Sequence, residues 1–182
     1  MPIFLAKKIF SILVYIFITL STIPACGQGP DLEDEEDSEV LGNGPSAAQV
    51  NTIKDFAYDP YSFNSGKDPH KTQALIEAVD ACPNYYGTVC RGVPISGHNF
   101  RRGDTVTTGK PGAPVASYTK DPAMAKQFAG NGGTVFVYQG QSKDISSFSP
   151  HPDEKECLVP NRPMKCTKTD YGSNNTTVVH VE

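Results

Sequence analysis

The chain is 182 residues long, with 20 acidic and 16 basic side chains, a formal net charge of −4 and 38% hydrophobic residues. That length suits one domain rather than several. Seven acids crowd into residues 31–39; without them and Lys7 and Lys8, 13 acids face 14 bases, so no nucleic-acid footprint remains.

Residues 1–26 have the three-part layout of an export leader: Lys7 and Lys8, an apolar run over 9–20, and Ile23-Pro24-Ala25-Cys26. The apolar run is shorter than the ~20 residues that span a bilayer. Alanine before Cys26 resembles a bacterial lipobox, in which the cysteine becomes the lipidated first residue of the mature protein. Ordinary leader cleavage nearby would release a free protein instead. Both outcomes stay open, so the expected location is secreted, or lipid-anchored on the cell envelope through Cys26 alone. Residues 27–44 hold the acidic run and then Gly42 and Gly44, the composition of a solvated, disordered linker. Residues 45–182 are left as the folded domain.

Within 45–58, Val50, Ile53, Phe56 and Ala57 repeat at helical spacing. A turn-rich stretch over 59–66 follows. Asp68-Pro69 supplies a cap and a first-turn proline for a second helix that ends near Pro83. The period then shortens. Residues 85–93 read as a strand, 100–108 as a weaker one and 115–119 as a short one. Asp121-Pro122 starts a helix that stops at Gly130-Asn131-Gly132-Gly133. Further strands are expected over 134–139, 155–159, 164–169 and 176–181. Strands do not alternate regularly with helices, so the fold class is α+β, N-terminal helices followed by a mostly antiparallel sheet. No G-x-G-x-x-G or Walker loop occurs, which excludes phosphate recognition by those devices.

Glu154-Lys155-Glu156 opens the expected strand over 155–159. On an extended chain its two carboxylates share a side, about 6–7 Å apart, with Lys155 opposite. Alone, such a pair reads as a solvated strand edge. Three other features give it context. Arg91 interrupts the apolar strand Val89-Cys90-Arg91-Gly92-Val93, where an arginine is seldom found without a partner. Ser117 and Thr119 put two hydroxyls on one strand face, and Ser149-Pro150-His151-Pro152-Asp153 stiffens the approach to the glutamates. His70, His98, His151 and His180 are scattered and no C-x-x-C occurs, so no metal site is expected.

Arginine strand, hydroxyl strand and E-x-E strand, in that order, resemble the R-S-E, arginine-specific branch of the mono-ADP-ribosyltransferases. The segment Ser149-Pro150-His151-Pro152-Asp153-Glu154-Lys155-Glu156 is similar to the corresponding loop of the cholera toxin and heat-labile enterotoxin A subunits. The resemblance covers most of residues 53–181. It implies the ADP-ribosyltransferase fold, a split and mostly antiparallel sheet behind N-terminal helices. It also implies NAD as a substrate and arginine on an acceptor protein as the recipient of ADP-ribose. By the same resemblance Glu156 stabilises the ribosyl cation and binds the ribose, while Arg91 holds the dinucleotide and Gly92 offers its backbone to the carboxamide. Ser117 orients Glu156, Thr119 completes the hydroxyl pair, and Glu154 positions the acceptor guanidinium. Tyr118 departs from the family's Ser-Thr-Ser motif at the middle position. The nicotinamide-stacking aromatic is sought among Phe128, Tyr118 and Phe136, with Phe128 reading as core. Phe148 resembles a position that recognises protein substrates, and reads otherwise as a loop staple. Two other readings stand beside transfer: an NAD glycohydrolase using the same residues, and a non-catalytic secreted lipoprotein that only binds.

Cys82, Cys90, Cys157 and Cys166 follow the leader, an even number that in an exported chain suggests disulfides with three pairings to choose from. Alternation along the strands turns the Cys90 and Cys157 sulfurs away from the catalytic face, and the family's strand order separates these two. Short loops close most easily. The expected pairs are therefore Cys82 with Cys90 and Cys157 with Cys166.

Overall fold

The computed structural model describes residues 44–182 apart from 66, 173 and 174. The expected leader and acidic linker, up to residue 43, lie outside the described residues.

Three helices come first, and each begins on a side-chain cap. Helix α1, Ala47–Tyr58, opens on a reciprocal pair: Gln49 N–H donates to Ser46 Oγ and Ser46 N–H to Gln49 Oε1. The turn-rich stretch forms a short helix, α2 (Pro60–Asn64), capped by Asp59, whose carboxylate accepts from Ser62 N–H. Helix α3, Pro69–Asp80, starts with Asp68 accepting from the N–H groups of His70 and Lys71. The inward faces of these helices bury Ile53, Phe56, Phe63, Leu75 and Val79 against Val115, Ile145 and Leu158 of the sheet region. Emptying such a site by Phe56→Ala costs about 3–5 kcal/mol.

The sheet has seven strands: β1 (Asn84–Val93), β2 (Thr105–Val106), β3 (Val115–Thr119), β4 (Thr134–Asp144), β5 (Glu156–Pro160), β6 (Met164–Tyr171) and β7 (Thr177–Val181). Their order is β1-β3-β5-β4-β7-β6-β2, with β1 also paired to β4. All pairings are antiparallel except β4 with β7. Helix α4, Pro122–Ala129, joins β3 to β4 and is capped by Asp121. Two expectations were off in length. The weak strand over 100–108 reduces to Thr105–Val106, since the chain turns at Gly103 with a φ of 93°. Strand β4 runs past Gln139 to Asp144, because its ladder with β1 continues to Asn84 opposite Lys143.

The ladder between β1 and β3 holds a single registered pair, Cys90 with Thr119. Strand β1 otherwise follows β4, and β3 follows β5. The two strands therefore diverge, and the sheet opens beside Arg91. Helix α4 lies close against β1 at this point. A Cβ on Gly92 would stand 1.8 Å from the Ala125 carbonyl oxygen, so only glycine admits that approach.

The cysteine expectations fail. All four are free thiols, and all four are buried. Strand β1 is extended from Asn84, which sets Asn84 about 20 Å from Cys90 at ~3.3 Å per residue. Two further residues cannot return Cys82 to within the ~7 Å that a disulfide requires. Cys82 packs among the helices, while Cys90 packs beneath α4 with Ala125, Ala129 and Val135. Cys157 and Cys166 share the central core, on strands that are not neighbours in the sheet. Nor do Cys90 and Cys157 face the same way: Cys90 is opposite Thr119, whereas Cys157 is opposite Tyr118, one residue out of phase.

Candidate active site

A cleft of about 240 Å³ lies where the sheet opens, lined by Arg91, Gly92, Ser117, Thr119, Glu154 and Glu156 among others. These are the six site residues expected from the sequence, gathered from β1, β3 and the start of β5. Cys90 also borders it, although the residue is buried and packs with Ala125, Ala129 and Val135.

Glu156 is the first residue of β5 and is only 9% exposed. Burial pushes its carboxyl above its ordinary value, and a hydrogen bond from Ser117 works in the other direction. Arg91 has five N–H donors. Nε donates to the Thr108 carbonyl at 2.9 Å and Nη1 to the Ser117 carbonyl at 2.7 Å. Three donors are left for an anionic ligand. Burial lowers the basicity of the guanidinium, while Tyr118 and Glu156 support its charge. Ser117 thus lies beside both charged groups, accepting from the arginine through its carbonyl and favouring ionisation of the acid through its hydroxyl.

The two glutamates do not sit on one extended segment. Glu154 ends a 3-10 turn, Pro152–Glu154, and Lys155 has a φ of 48°, a left-handed conformation uncommon for a side-chain-bearing residue. Proline at 152 sets the turn, and the end of β3 holds it. Thr119 Oγ1 donates to the Glu154 carbonyl at 2.6 Å, and Lys120 N–H to the Lys155 carbonyl at 3.1 Å. Both carboxylates still reach the same cleft. The Thr119 hydroxyl is committed to this turn and to accepting from Asp121 N–H, so it fixes Glu154 rather than adding a free donor to the cleft. Burial raises the Glu154 carboxyl from its ordinary value, Asp153 adds to this, and His151 opposes it.

Among the aromatics, Phe128 is 38% exposed and lines the cleft, which corrects its reading as core. Phe136 is in the central core. Tyr118 touches the cleft wall, but its ring packs in that core against Tyr138. Phe148 packs against the helical cluster, the contact of a loop staple. The sequence reading missed the opposite wall, Phe56, Ala57 and Pro60, together with His151. Phe56 shows only as one member of a helical stripe; nothing local marks the far end of α1 as a wall. His151 meets Tyr58 edge to face, with ring centroids 6.1 Å apart. Among the described residues, no group of three or more His, Cys, Asp or Glu side chains gathers as metal ligands.

A buried carboxylate beside a tethered guanidinium, with a second carboxylate at the same cleft, can bind an anion and stabilise a cation that develops next to it. Solved structures share this architecture. Vis toxin from Vibrio splendidus, in a complex with agmatine, superposes with a TM-score of 0.59 at 21% identity, covering 75% of this chain and 74% of that one. The chain has the ADP-ribosyltransferase fold. Exoenzyme S from Pseudomonas aeruginosa, bound to a human 14-3-3 protein and Carba-NAD, gives 0.58 at 16% identity over 76% of this chain and 74% of that one. In sequence, this ADP-ribosyltransferase-fold chain is 33% identical over 134 residues to Mav of Mycobacterium avium (strain 104), provisionally named an NAD(+)–arginine ADP-ribosyltransferase. That match takes in 70% of this chain and 15% of Mav. No family model matches the chain.

Proposed function

We propose that this chain is a mono-ADP-ribosyltransferase that cleaves NAD and transfers ADP-ribose to arginine on an acceptor protein. One observation carries the reading: Arg91 of β1, Ser117 of β3, Glu154 of the turn before β5 and Glu156 at the start of β5 line one cleft, with Arg91 hydrogen-bonded to the Ser117 carbonyl and the Ser117 hydroxyl favouring ionisation of Glu156.

Breaking the bond between nicotinamide and ribose builds an oxocarbenium-like cation, as glycoside cleavage does. Glu156, buried and held by Ser117, is the carboxylate that stabilises this charge as it forms. Arg91 uses its three remaining donors on the dinucleotide phosphates. Gly92, which lets α4 approach β1, offers backbone to the carboxamide, and Phe128 is the exposed aromatic suited to stacking on the nicotinamide ring. Glu154, less buried than Glu156, receives the acceptor guanidinium and helps to remove its proton. Arginine as acceptor is supported by the retained first glutamate, by the name of Mav and by the guanidinium compound bound to Vis. The reading needs no metal.

The leader makes the protein an exported one, either free or anchored through a lipidated Cys26. Acyl labelling lost in Cys26→Ser supports the anchor; a mature terminus mapped elsewhere removes it.

The activity is tested with labelled NAD, following nicotinamide release with and without an arginine-containing acceptor. Label on arginine supports transfer. Nicotinamide release with no labelled acceptor makes the chain an NAD glycohydrolase, and no release at all leaves a binding module.

A further inference from the structure

Arg91 is aimed by a loop that itself does not touch the cleft at its key residues. Its Nε donates to the carbonyl of Thr108. Thr108 is buried, and its hydroxyl accepts a 2.7 Å hydrogen bond from Tyr118 Oη. Tyr118 is the residue that departs from the family's hydroxyl motif, and its core position explains its size: the ring packs against Tyr138 while the hydroxyl reaches the loop.

The next residues of the loop are fastened from a third direction. Asn161, directly after β5, accepts from Gly109 N–H at 3.0 Å and donates Nδ2 to the carbonyls of Lys110 and Ala113 at 2.8 and 2.9 Å. Its own N–H donates to the Pro114 carbonyl. One amide side chain thus satisfies three backbone groups across five residues. Gly109 makes this fit: a Cβ there would stand 2.5 Å from Asn161 Oδ1. Strand β5 begins with Glu156 and ends just before Asn161. The glutamate and the loop that aims the arginine are therefore fixed to the two ends of one short strand.

We propose that Thr108, Tyr118 and Asn161 form a clamp that orients Arg91 toward the dinucleotide, so that Thr108 and Asn161, which do not line the cleft, help to set its affinity for NAD. This rests on the proposed use of NAD. Thr108 and Asn161 are positioning residues: they act through Arg91 and touch no ligand. A loosened clamp lets the guanidinium swing between its two carbonyl partners and solvent, which weakens binding of the intact dinucleotide. Once NAD is seated, Glu156 and Ser117 are unchanged, so turnover is spared.

The test measures equilibrium NAD binding together with KM and kcat for nicotinamide release in the full chain. Thr108→Val keeps the shape of the side chain and removes the hydroxyl; Asn161→Ala unties the loop. Each is expected to raise Kd and KM for NAD about tenfold, with kcat within about twofold. Thr108→Ser should restore wild-type values, which also guards against a mere folding defect. A double-mutant cycle supplies the decisive readout. In an Arg91→Lys background, Thr108→Val should add no further loss, because the group it positions is already gone. Losses that simply add, or Thr108→Val and Asn161→Ala proteins that bind NAD as tightly as wild type, overturn the clamp while leaving the proposed activity standing. A wild-type protein that binds no NAD overturns both.

Discussion

Ser117 and Glu156 are diagonal neighbours across the β3–β5 ladder: Ser117 is registered opposite Leu158, and Glu156 opposite Thr119. Diagonal neighbours two residues apart share a face, so the contact follows from register alone. A one-residue slip would send Glu156 into the core and end it.

That contact sets a pH dependence. Burial raises the Glu156 carboxyl from its ordinary value and the Ser117 hydrogen bond pulls it partly back. Activity that requires ionised Glu156 is therefore lost, as pH falls, at a pH above the ordinary glutamate range. Ser117→Ala removes the hydroxyl that favours ionisation, so the acid limb of kcat/KM for nicotinamide release should move to still higher pH. A limb that stays in place or moves down would mean that Ser117 does not act on Glu156.

The same burial makes Glu156 a cost to the fold. Its folded value lies above its unfolded value, so the native state holds its proton longer, and stability falls as pH rises through the ordinary carboxylate range. Glu156→Gln lacks this penalty. Its Tm should exceed that of wild type at pH 7 to 8, and the gap should narrow toward pH 4, where both forms are neutral. Thermal melts across that range check it; an equal or lower Tm at neutral pH would contradict the account.

Gly92 serves packing before chemistry. With its Cβ position 1.8 Å from the Ala125 carbonyl oxygen and 2.7 Å from Ala129 N, Gly92→Ala must push α4 off β1. Backbone gives way less readily than a flexible side chain, and overpacking of this kind costs about 1–3 kcal/mol. Denaturant melts should show that loss, whereas Gly112→Ala, with open space around it but a φ of 81°, should lose stability through backbone strain alone.

Much of this arrangement was legible because the residues that build it are local signals. Asp68 and Asp121 each stand before a proline and cap a helix, whereas Asp59-Pro60, which reads as a turn, starts a short helix as well. The apolar runs at 85–93 and 134–139 fall within β1 and β4, which pair with each other. What escaped depends on contacts distant in sequence. Alternation predicts an extended E-x-E segment, whereas Pro152 starts a 3-10 turn there and Thr119, 35 residues earlier, holds it; the proline is a local signal, the hold is not. Phe128 reads as core in the sequence, yet it is exposed and lines the cleft, which distant strands form. The Cys82–Cys90 pairing was different in kind, because it conflicted with the strand already read between those residues.

The thiols provide a direct check on that correction. Burial pushes Cys82 and Cys157 up to about 11 and raises Cys90 as well, so these groups remain protonated at pH 8. Thiolate is the reactive form. Native protein should alkylate slowly, and Cys82, Cys90, Cys157 and Cys166 should all alkylate once unfolded in denaturant without reductant. Peptide mapping that recovers any of the four as a disulfide would refute the thiol assignment.

The two glutamates should separate two moments of one reaction. Glu156 is buried beside Ser117, and in the proposed reaction it stabilises the cation formed as nicotinamide leaves, whatever then attacks it. Glu156→Gln should therefore lower hydrolysis and transfer together, by about 10²–10⁴-fold, or about 2.7–5.4 kcal/mol, the scale of a principal electrostatic or acid–base group. Glu154 sits on the turn ahead of it, with its backbone held by Thr119 rather than its carboxylate by Ser117. In the proposed reaction its carboxylate acts on the acceptor alone, so Glu154→Gln should suppress transfer to arginine by a similar order and leave nicotinamide release into water within a few-fold of wild type. Because the Thr119 bond is to the Glu154 carbonyl, the substitution leaves the turn intact, and a loss of transfer cannot be assigned to collapse of the segment. Equal impairment of hydrolysis by both substitutions would defeat the division of labour. Hydrolysis untouched by either would defeat the catalytic assignment of Glu156 itself.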